Sequence, residues 1–281
     1  MSPHPCPPAY RRVPALLPLG LVALAVLLVP AGTLRAGEPA TERFEKTYDL
    51  TGITKVRLQN VNGSVRLATV DRPTAHVVAV KKARGSNAEE ILRDTEIRVV
   101  KAGTVLDIET ILPRQRRFLG FFHWGSDPAA EVAYELELPG TLPVDVETVN
   151  GRVSAERRTA PLTLNTVNGS VRVEGHDAPV QVNTVNGSVE VSFAGAFHAS
   201  KLETVNGSVT VACDRDSSIQ FDLQTVNGGI RSDFPEVIPE GKWGPKEARG
   251  AIGGGRERLS VETVNGEVRL VVGSPRGDAA R

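Results

Sequence analysis

Cysteine is nearly absent from this 281-residue chain. Cys6 lies close to the N-terminus and Cys213 stands alone in the remainder. No internal disulfide can therefore brace the fold once the N-terminal segment is removed. Aromatics make up only 5 % of the residues and methionine occurs once, which disfavours a core built from large rings. An excess of charge is lacking too, since 33 basic residues balance 33 acidic ones. A nucleic-acid-binding face would require a basic surplus, so no nucleic-acid partner is expected. HExxH pairs, paired-cysteine spacings and GxSxG elbows do not occur. The sequence accordingly offers no catalytic residue, metal site or cofactor site.

Long apolar runs are missing with one exception. Arg11 and Arg12 precede an apolar stretch from Val13 to Val29, followed by Pro30, Gly32 and small residues ending at Ala36. That charged, apolar, small-residue order is the pattern of a secretory signal, expected here as residues 1–36. The run is short for a membrane span and is interrupted by Pro14 and Pro18, although an uncleaved N-terminal membrane anchor is the alternative. Export is expected, to the periplasm, the cell surface or the medium. Without Arg11, Arg12 and Arg35, the remaining domain (37–281) carries 30 basic residues against 33 acidic ones.

What the sequence does contain is a repeat. "LQNVNGSVRL", "VETVNGRVSA", "LNTVNGSVRV", "VNTVNGSVEV", "LETVNGSVTV", "LQTVNGGIRS" and "VETVNGEVRL" place their Asn-Gly pairs at Asn62, Asn150, Asn168, Asn186, Asn206, Asn227 and Asn265. A period of 18–21 residues over consecutive copies is the mark of a repeat architecture. An aliphatic residue stands four positions before each Asn, and Val or Ile recurs two positions past each Gly, so two alternating strands flank a turn in every unit. Asn and Gly both tolerate positive φ, which suits them to that turn. Two-residue hairpins joined as a meander would satisfy the turn alone. They would not require Thr and Val to be fixed ahead of it. Identity at four consecutive positions follows if equivalent residues stack on one another, about 4.8 Å apart, with buried Asn side chains bonding along the stack. The expected fold is therefore all-β, a β-solenoid of 18–21-residue coils with TVNG corners, regular over 141–272.

Turn chemistry also accounts for the "NGS" matches to a glycosylation pattern, and for Ser170, Ser188 and Ser208 beside the corners. "AIGGGRE" (251–257) lacks the Asp that a calcium-binding roll needs, and "CDRDSS" (213–218) reads as a turn rather than a calcium site. His76, His123, His176 and His198 are scattered and read as turn or surface residues, whereas Cys213 reads as a small apolar residue near the coil interior.

The string "VAYELELPGTLPVDVETVNGRVSAE", followed by repeated "TVNGSV", resembles the DUF4097 family, also called the adhesin-like or Toastrack family, over roughly residues 43–272. That resemblance implies an exported or membrane-tethered β-solenoid without known catalytic residues, some of whose members travel with cell-envelope stress systems.

Residues 43–140 are less regular. Strands are expected at 64–70, 76–83, 97–100, 104–110 and 131–139. One short helix is expected in "SNAEEILRDT" (86–95), where Ser86 and Glu89 have the spacing of a capping box, and it would cover an exposed end or edge of the stack. Residues 233–258 are rich in Pro, Gly and charge and are expected to form a surface loop. The stretch "RQRRFLGFFHWG" (114–125) stands apart. Arg114, Arg116 and Arg117 precede Phe118, Phe121, Phe122 and Trp124. Either this is an exposed segment that contacts a partner or a membrane interface, or its rings fold back to plug the solenoid end.

Three function classes fit. The first is a non-enzymatic surface or periplasmic scaffold that binds protein or glycan of the cell envelope. The second is an envelope-stress accessory acting by protein contacts at the membrane. The third is a polysaccharide-active β-helix enzyme. The third residue after each Gly reads Arg66, Ser154, Arg172, Glu190, Thr210, Arg231 and Arg269. A lyase groove would stack acids there, so binding is favoured over catalysis.

Overall fold

The computed structural model describes residues 39–112, 130–241 and 244–273. In chain order the first strands are β1 (Ala40–Asp49), β2 (Lys55–Gln59), β3 (Val65–Thr69) and β4 (Thr74–Ala83). Helix α1 (Ala88–Asp94) follows, and then come β5 (Glu96–Ala102), β6 (Val105–Ile111) and β7 (Glu131–Leu138). The repeats supply β8 (Val144–Asn150), β9 (Val153–Glu156), β10 (Leu162–Asn168), β11 (Val171–His176), β12 (Val180–Asn186) and β13 (Val189–Phe193). They continue with β14 (Ser200–Asn206), β15 (Val209–Cys213), β16 (Ile219–Asn227), β17 (Ile230–Ser232), β18 (Lys246–Ile252), β19 (Glu257–Asn265) and β20 (Val268–Val272).

These strands form two ten-stranded sheets that share one core. Each repeat places one strand in each sheet and turns between them at its Asn-Gly pair. Neighbouring coils pair parallel and in register, with Thr148 beside Thr166, and Asn150, Asn168, Asn186 and Asn206 side by side. The fold is a β-solenoid and not a meander. Alternation explains the faces: Leu164, Val182, Leu202, Val171 and Val189 point inward and are at most 1 % exposed, while the residues between them face out. Val and Thr suit such half-buried extended positions because branching at Cβ already restricts χ1.

Coil order departs from chain order at both ends. Sheet neighbours show that the coils stack as β6–β7, β2–β3, β8–β9, β10–β11, β12–β13, β14–β15, β19–β20 and β16–β17. The last coil in the sequence is thus inserted beneath the one before it, with Asn265 paired to both Asn206 and Asn227. Two full coils, β2–β3 and β6–β7, come from residues 43–140. The ends carry antiparallel strands instead: β4 and β1 beyond β7, β5 beyond β6, and β18 beyond β16.

Two further expectations are corrected, and one strand has no sequence signal. Residues 233–258 are not all loop, because β18 pairs along β16 from Thr225–Lys246 to Ile219–Ile252. Strand β1, which has no apolar alternation, forms on the strength of its pairing with β4. The helix lacks its capping box: its N-cap is Asn87, with no side-chain cap bond. Its stability comes from packing, since Ala88, Ile91 and Leu92 cluster with Ala83 and Ala130, and Lys81 Nζ donates to Leu92 O and bonds to Glu42. The edge strands resist unwanted pairing. Strand β1 alternates charged residues along its exposed side and β17 is only three residues long, features that blunt a sheet edge.

Candidate functional site

The TVNG corner explains its own sequence. Each Asn donates its Nδ2 to the Oδ1 of the Asn one coil away: Asn150 to Asn62 (2.7 Å), Asn168 to Asn150 (2.8 Å), Asn186 to Asn168 (2.8 Å) and Asn206 to Asn186 (2.8 Å). Asn265 to Asn206 (2.7 Å) and Asn227 to Asn265 (2.9 Å) complete the ladder. The side chains expected to be buried lie instead at the surface in six of the seven copies. Thr184, Thr204, Thr263 and Thr225 donate their hydroxyls across the coil gap to Gly169, Gly187, Gly207 and Gly266 carbonyls.

The glycines serve close approach more than turn geometry. A Cβ on Gly169, Gly187, Gly207, Gly266 or Gly228 would stand 1.8–2.1 Å from the backbone oxygen of the stacked glycine. Only Gly63 and Gly151 of the seven have positive φ, and none of the asparagines does. The corner residues are therefore consumed by the stack itself.

What remains for binding is the outward rows. On the outer face of the sheet holding β8 to β19, the Val of each TVNG forms a row: Val149, Val167, Val185, Val205, Val264 and Val226, each 38–41 % exposed. The sequence pattern could have revealed this row, because a residue between inward Thr and the Asn corner must face out. Beside it runs a polar row of Glu147, Asn165, Asn183, Glu203, Glu262 and Gln224, in which Asn183 Nδ2 bonds Asn165 Oδ1 at 2.8 Å. At the β16 end, Glu240 and Glu247 exchange reciprocal backbone bonds, and Glu240, Gly241, Pro245 and Lys246 border this face. With the strands they line an open cleft of roughly 760 Å³ whose floor includes Val205, Val226 and Val264 and whose walls include Glu203, Glu240, Glu247 and Glu262.

The opposite sheet is polar and ion-paired. Arg66 meets Glu156, Arg172 meets Glu190 at 2.5 Å, and Arg231 and Arg269 share Glu267. The row three residues past each Gly is therefore a set of mixed pairs and carries no stack of acids.

At the corner remote from the asparagines lie two buried polar groups that sequence reading missed. Arg158 is fully buried and donates Nη2 to the Pro139 and Leu142 carbonyls, while burial pulls its pKa down to about 10. His176, expected near the surface, is fully buried with its ring tilted against Phe193, and burial lowers its pKa to about 4. The "GHDAP" context looks like any surface turn, and only stacking on neighbouring coils covers the imidazole. His198 does sit at the surface beside Asp177 (2.8 Å), and His76 lies between Glu45 and Glu137. Cys213 is buried among apolar neighbours, as expected, and burial pushes its thiol up to about 11. Among the described residues no group of three or more His, Cys, Asp and Glu is placed to hold a metal ion. No helix there is long and apolar enough to cross a membrane.

The sequence-predicted contact residues Arg114, Arg116, Arg117, Phe118, Phe121, Phe122 and Trp124 lie outside the described residues. Their flanks are placed: β6 ends and β7 begins beside the Asn62 corner of the neighbouring coil.

Several solved structures are similar to this chain. A "putative cell adhesion protein" from Clostridium sporogenes is 14 % identical, with 84 % of this chain and 100 % of that one covered and a TM-score of 0.48. A "putative adhesin" from Bacteroides fragilis is 12 % identical, covering 83 % and 98 %, with a TM-score of 0.43. A "putative lipid binding protein" from Parabacteroides distasonis is 10 % identical, covering 84 % and 97 %, with a TM-score of 0.31. No curated protein matches. The model of the Toastrack DUF4097 family matches residues 48–271, which takes in every repeat and both swapped ends. The chain belongs to the Toastrack DUF4097 family.

Proposed function

We propose that this protein is an exported, non-enzymatic, adhesin-like scaffold that binds a protein or glycan of the cell envelope through its outward rows, with the 114–124 segment as a second contact. The observation that carries this reading is the valine row: six aliphatic side chains, each near 40 % exposed, aligned across six consecutive coils. Scattered exposed aliphatics are ordinary, but a contiguous apolar stripe rimmed by polar residues marks an interaction surface. The corner residues are occupied by coil stacking, so these outward rows are the surface left to vary with the ligand. The arginines and rings of 114–124 suit an anionic partner or a membrane interface.

Two variants test the proposal. Val149→Ser, Val167→Ser and Val185→Ser together remove the half of the row away from β16 without touching the core. Phe121→Ser, Phe122→Ser and Trp124→Ser together remove the rings. Binding to envelope extracts and to anionic vesicles is measured beside thermal stability. Lost binding at unchanged stability supports each contact. Full binding by both variants refutes the reading, and lost stability in the ring variant identifies the rings as a plug.

A further inference from the structure

The valine row ends in the open cleft, and the cleft has a chemistry of its own. Its floor is aliphatic, at Val205, Val264 and Val226. Glu203 and Glu262 stand directly opposite one another on neighbouring strands, a like-charge pairing that destabilises a sheet unless cations offset it. Lys201 satisfies Glu203 at 2.7 Å and Arg249 reaches Glu247 at 3.2 Å. Glu240 and Glu262 have no ion-pair partner among the described residues, and Lys246 is the one base in the described lining. The cleft is therefore complementary to an extended chain that carries two or more positive charges beside bulky apolar side chains.

This protein holds one such chain. Arg114, Arg116 and Arg117 stand directly before Phe118, Leu119, Phe121, Phe122 and Trp124. The described flanks, Leu112 and Ala130, lie at the Asn-corner side of the first coil, whereas the cleft lies beside the same corner column in the fifth to eighth coils. At about 4.8 Å per coil, the centre of the protein's own cleft is about 25–30 Å from the segment's base. Reaching it would need both arms of the excursion between Leu112 and Ala130 almost fully stretched, at about 3.3 Å per residue. A second copy meets no such restriction. We infer that the cleft is the docking site for residues 114–124 of a second copy, in a head-to-tail contact. The donor surface and the acceptor surface are different, so the contact does not close on itself, and repetition of it builds chains of molecules. This inference rests on the proposed contact role of the segment but names its partner.

Sedimentation of the exported protein over a range of concentrations supplies the test. The wild type is expected to self-associate. The segment variant (F121S, F122S, W124S) and the cleft variant (E240K, E262K) are each expected to be monomeric, while their mixture forms a 1:1 dimer because one intact cleft meets one intact segment. Adding R116E and R117E to the cleft variant is expected to restore association at least tenfold, since the charges are exchanged. A synthetic peptide of residues 112–126, titrated against wild type and cleft variant, gives a reading that does not depend on how the segment variant folds. At least tenfold weaker binding to the cleft variant is expected. A wild type that stays monomeric, a mixture that forms no dimer, or equal peptide binding by both proteins overturns the inference. Envelope binding is measured separately, so loss of that result leaves this one standing, and the reverse.

Discussion

Gly187→Ala isolates the physical cause of the repeat. In an extended backbone, alanine would ordinarily be the better residue by about 0.5–1 kcal/mol, because it loses less chain entropy on folding. Here the new Cβ would stand 2.0 Å from the Gly169 oxygen and 2.5 Å from its carbonyl carbon. Both are backbone atoms of the adjacent coil, so no side chain can swing aside. Relief requires the corner to open by about 1 Å, given ordinary carbon–oxygen contact distances. Three hydrogen bonds cross that gap: Thr184 Oγ1 to Gly169 O at 3.3 Å, Asn186 Nδ2 to Asn168 Oδ1 at 2.8 Å, and Val171 N to Ser188 O at 2.9 Å. At about 1 kcal/mol each, their weakening sets the expected loss at about 3 kcal/mol. Two controls separate close approach from backbone conformation. Gly229→Ala, with its nearest atom 3.9 Å away, should stay within about 0.5 kcal/mol. Gly175→Ala has room (3.5 Å to Arg157) but a φ of +60°, and should cost about 1–2 kcal/mol from strain. Midpoints in chemical denaturation should therefore rank Gly229→Ala highest, Gly175→Ala next and Gly187→Ala lowest. Equal midpoints for the variants at 187 and 229 would refute the stacking argument.

Three further outcomes follow from burial. Val171→Asp and Val189→Asp should each lower stability by several kcal/mol, because an unpaired carboxylate enters the core, whereas Arg172→Ala should shift it by no more than about 1 kcal/mol through loss of its half-exposed pair with Glu190; denaturation midpoints distinguish them. His176 is held neutral in the fold, with its pKa lowered from 6.5 to about 4, so its contribution is complete above pH 6.5 and is lost as the pH falls towards 4. That loss is about 3 kcal/mol over the window, and a His176→Phe variant should have a flatter stability profile between pH 6.5 and 4. Cys213, buried and with its thiol pKa raised to about 11, should resist maleimide in the native protein and react at once in denaturant; rapid native labelling would contradict its placement.

The repeat made the stacked fold legible, because four identical consecutive residues exceed what a turn requires. The inward positions were legible for the same reason, since Leu164 and Val171 alternate with polar neighbours. Other features were not. Copies that share the ladder residues fit any place in the stack, so nothing in "LQTVNGGI" or "VETVNGEV" says that the latter sits inside the former. The 38-residue step between Asn227 and Asn265 shows only that the intervening chain is long enough to cross over. The glycines were assigned to turning, because an isolated sequence does not separate positive φ from close approach. His176 and Arg158 look like turn residues until neighbouring coils bury them. The acidic cleft was hidden because its walls come from strands far apart in sequence and from an insertion that reads as loop.

The most direct test concerns the inserted coil, since the continuous valine row and its cleft depend on it. In the swapped order Val205 neighbours Val264, one strand spacing away, and Val226 lies one coil further on. A disulfide needs Cα atoms about 4.4–6.8 Å apart, which one coil step of about 4.8 Å satisfies and two steps do not. With Cys213 replaced by Ala, the Val205→Cys/Val264→Cys protein should cross-link under mild oxidation, and the Val205→Cys/Val226→Cys protein should remain reduced. Cross-linking of 205 to 226 without 205 to 264 would mean that the coils follow chain order, and would contradict both the swapped stack and the binding face built on it.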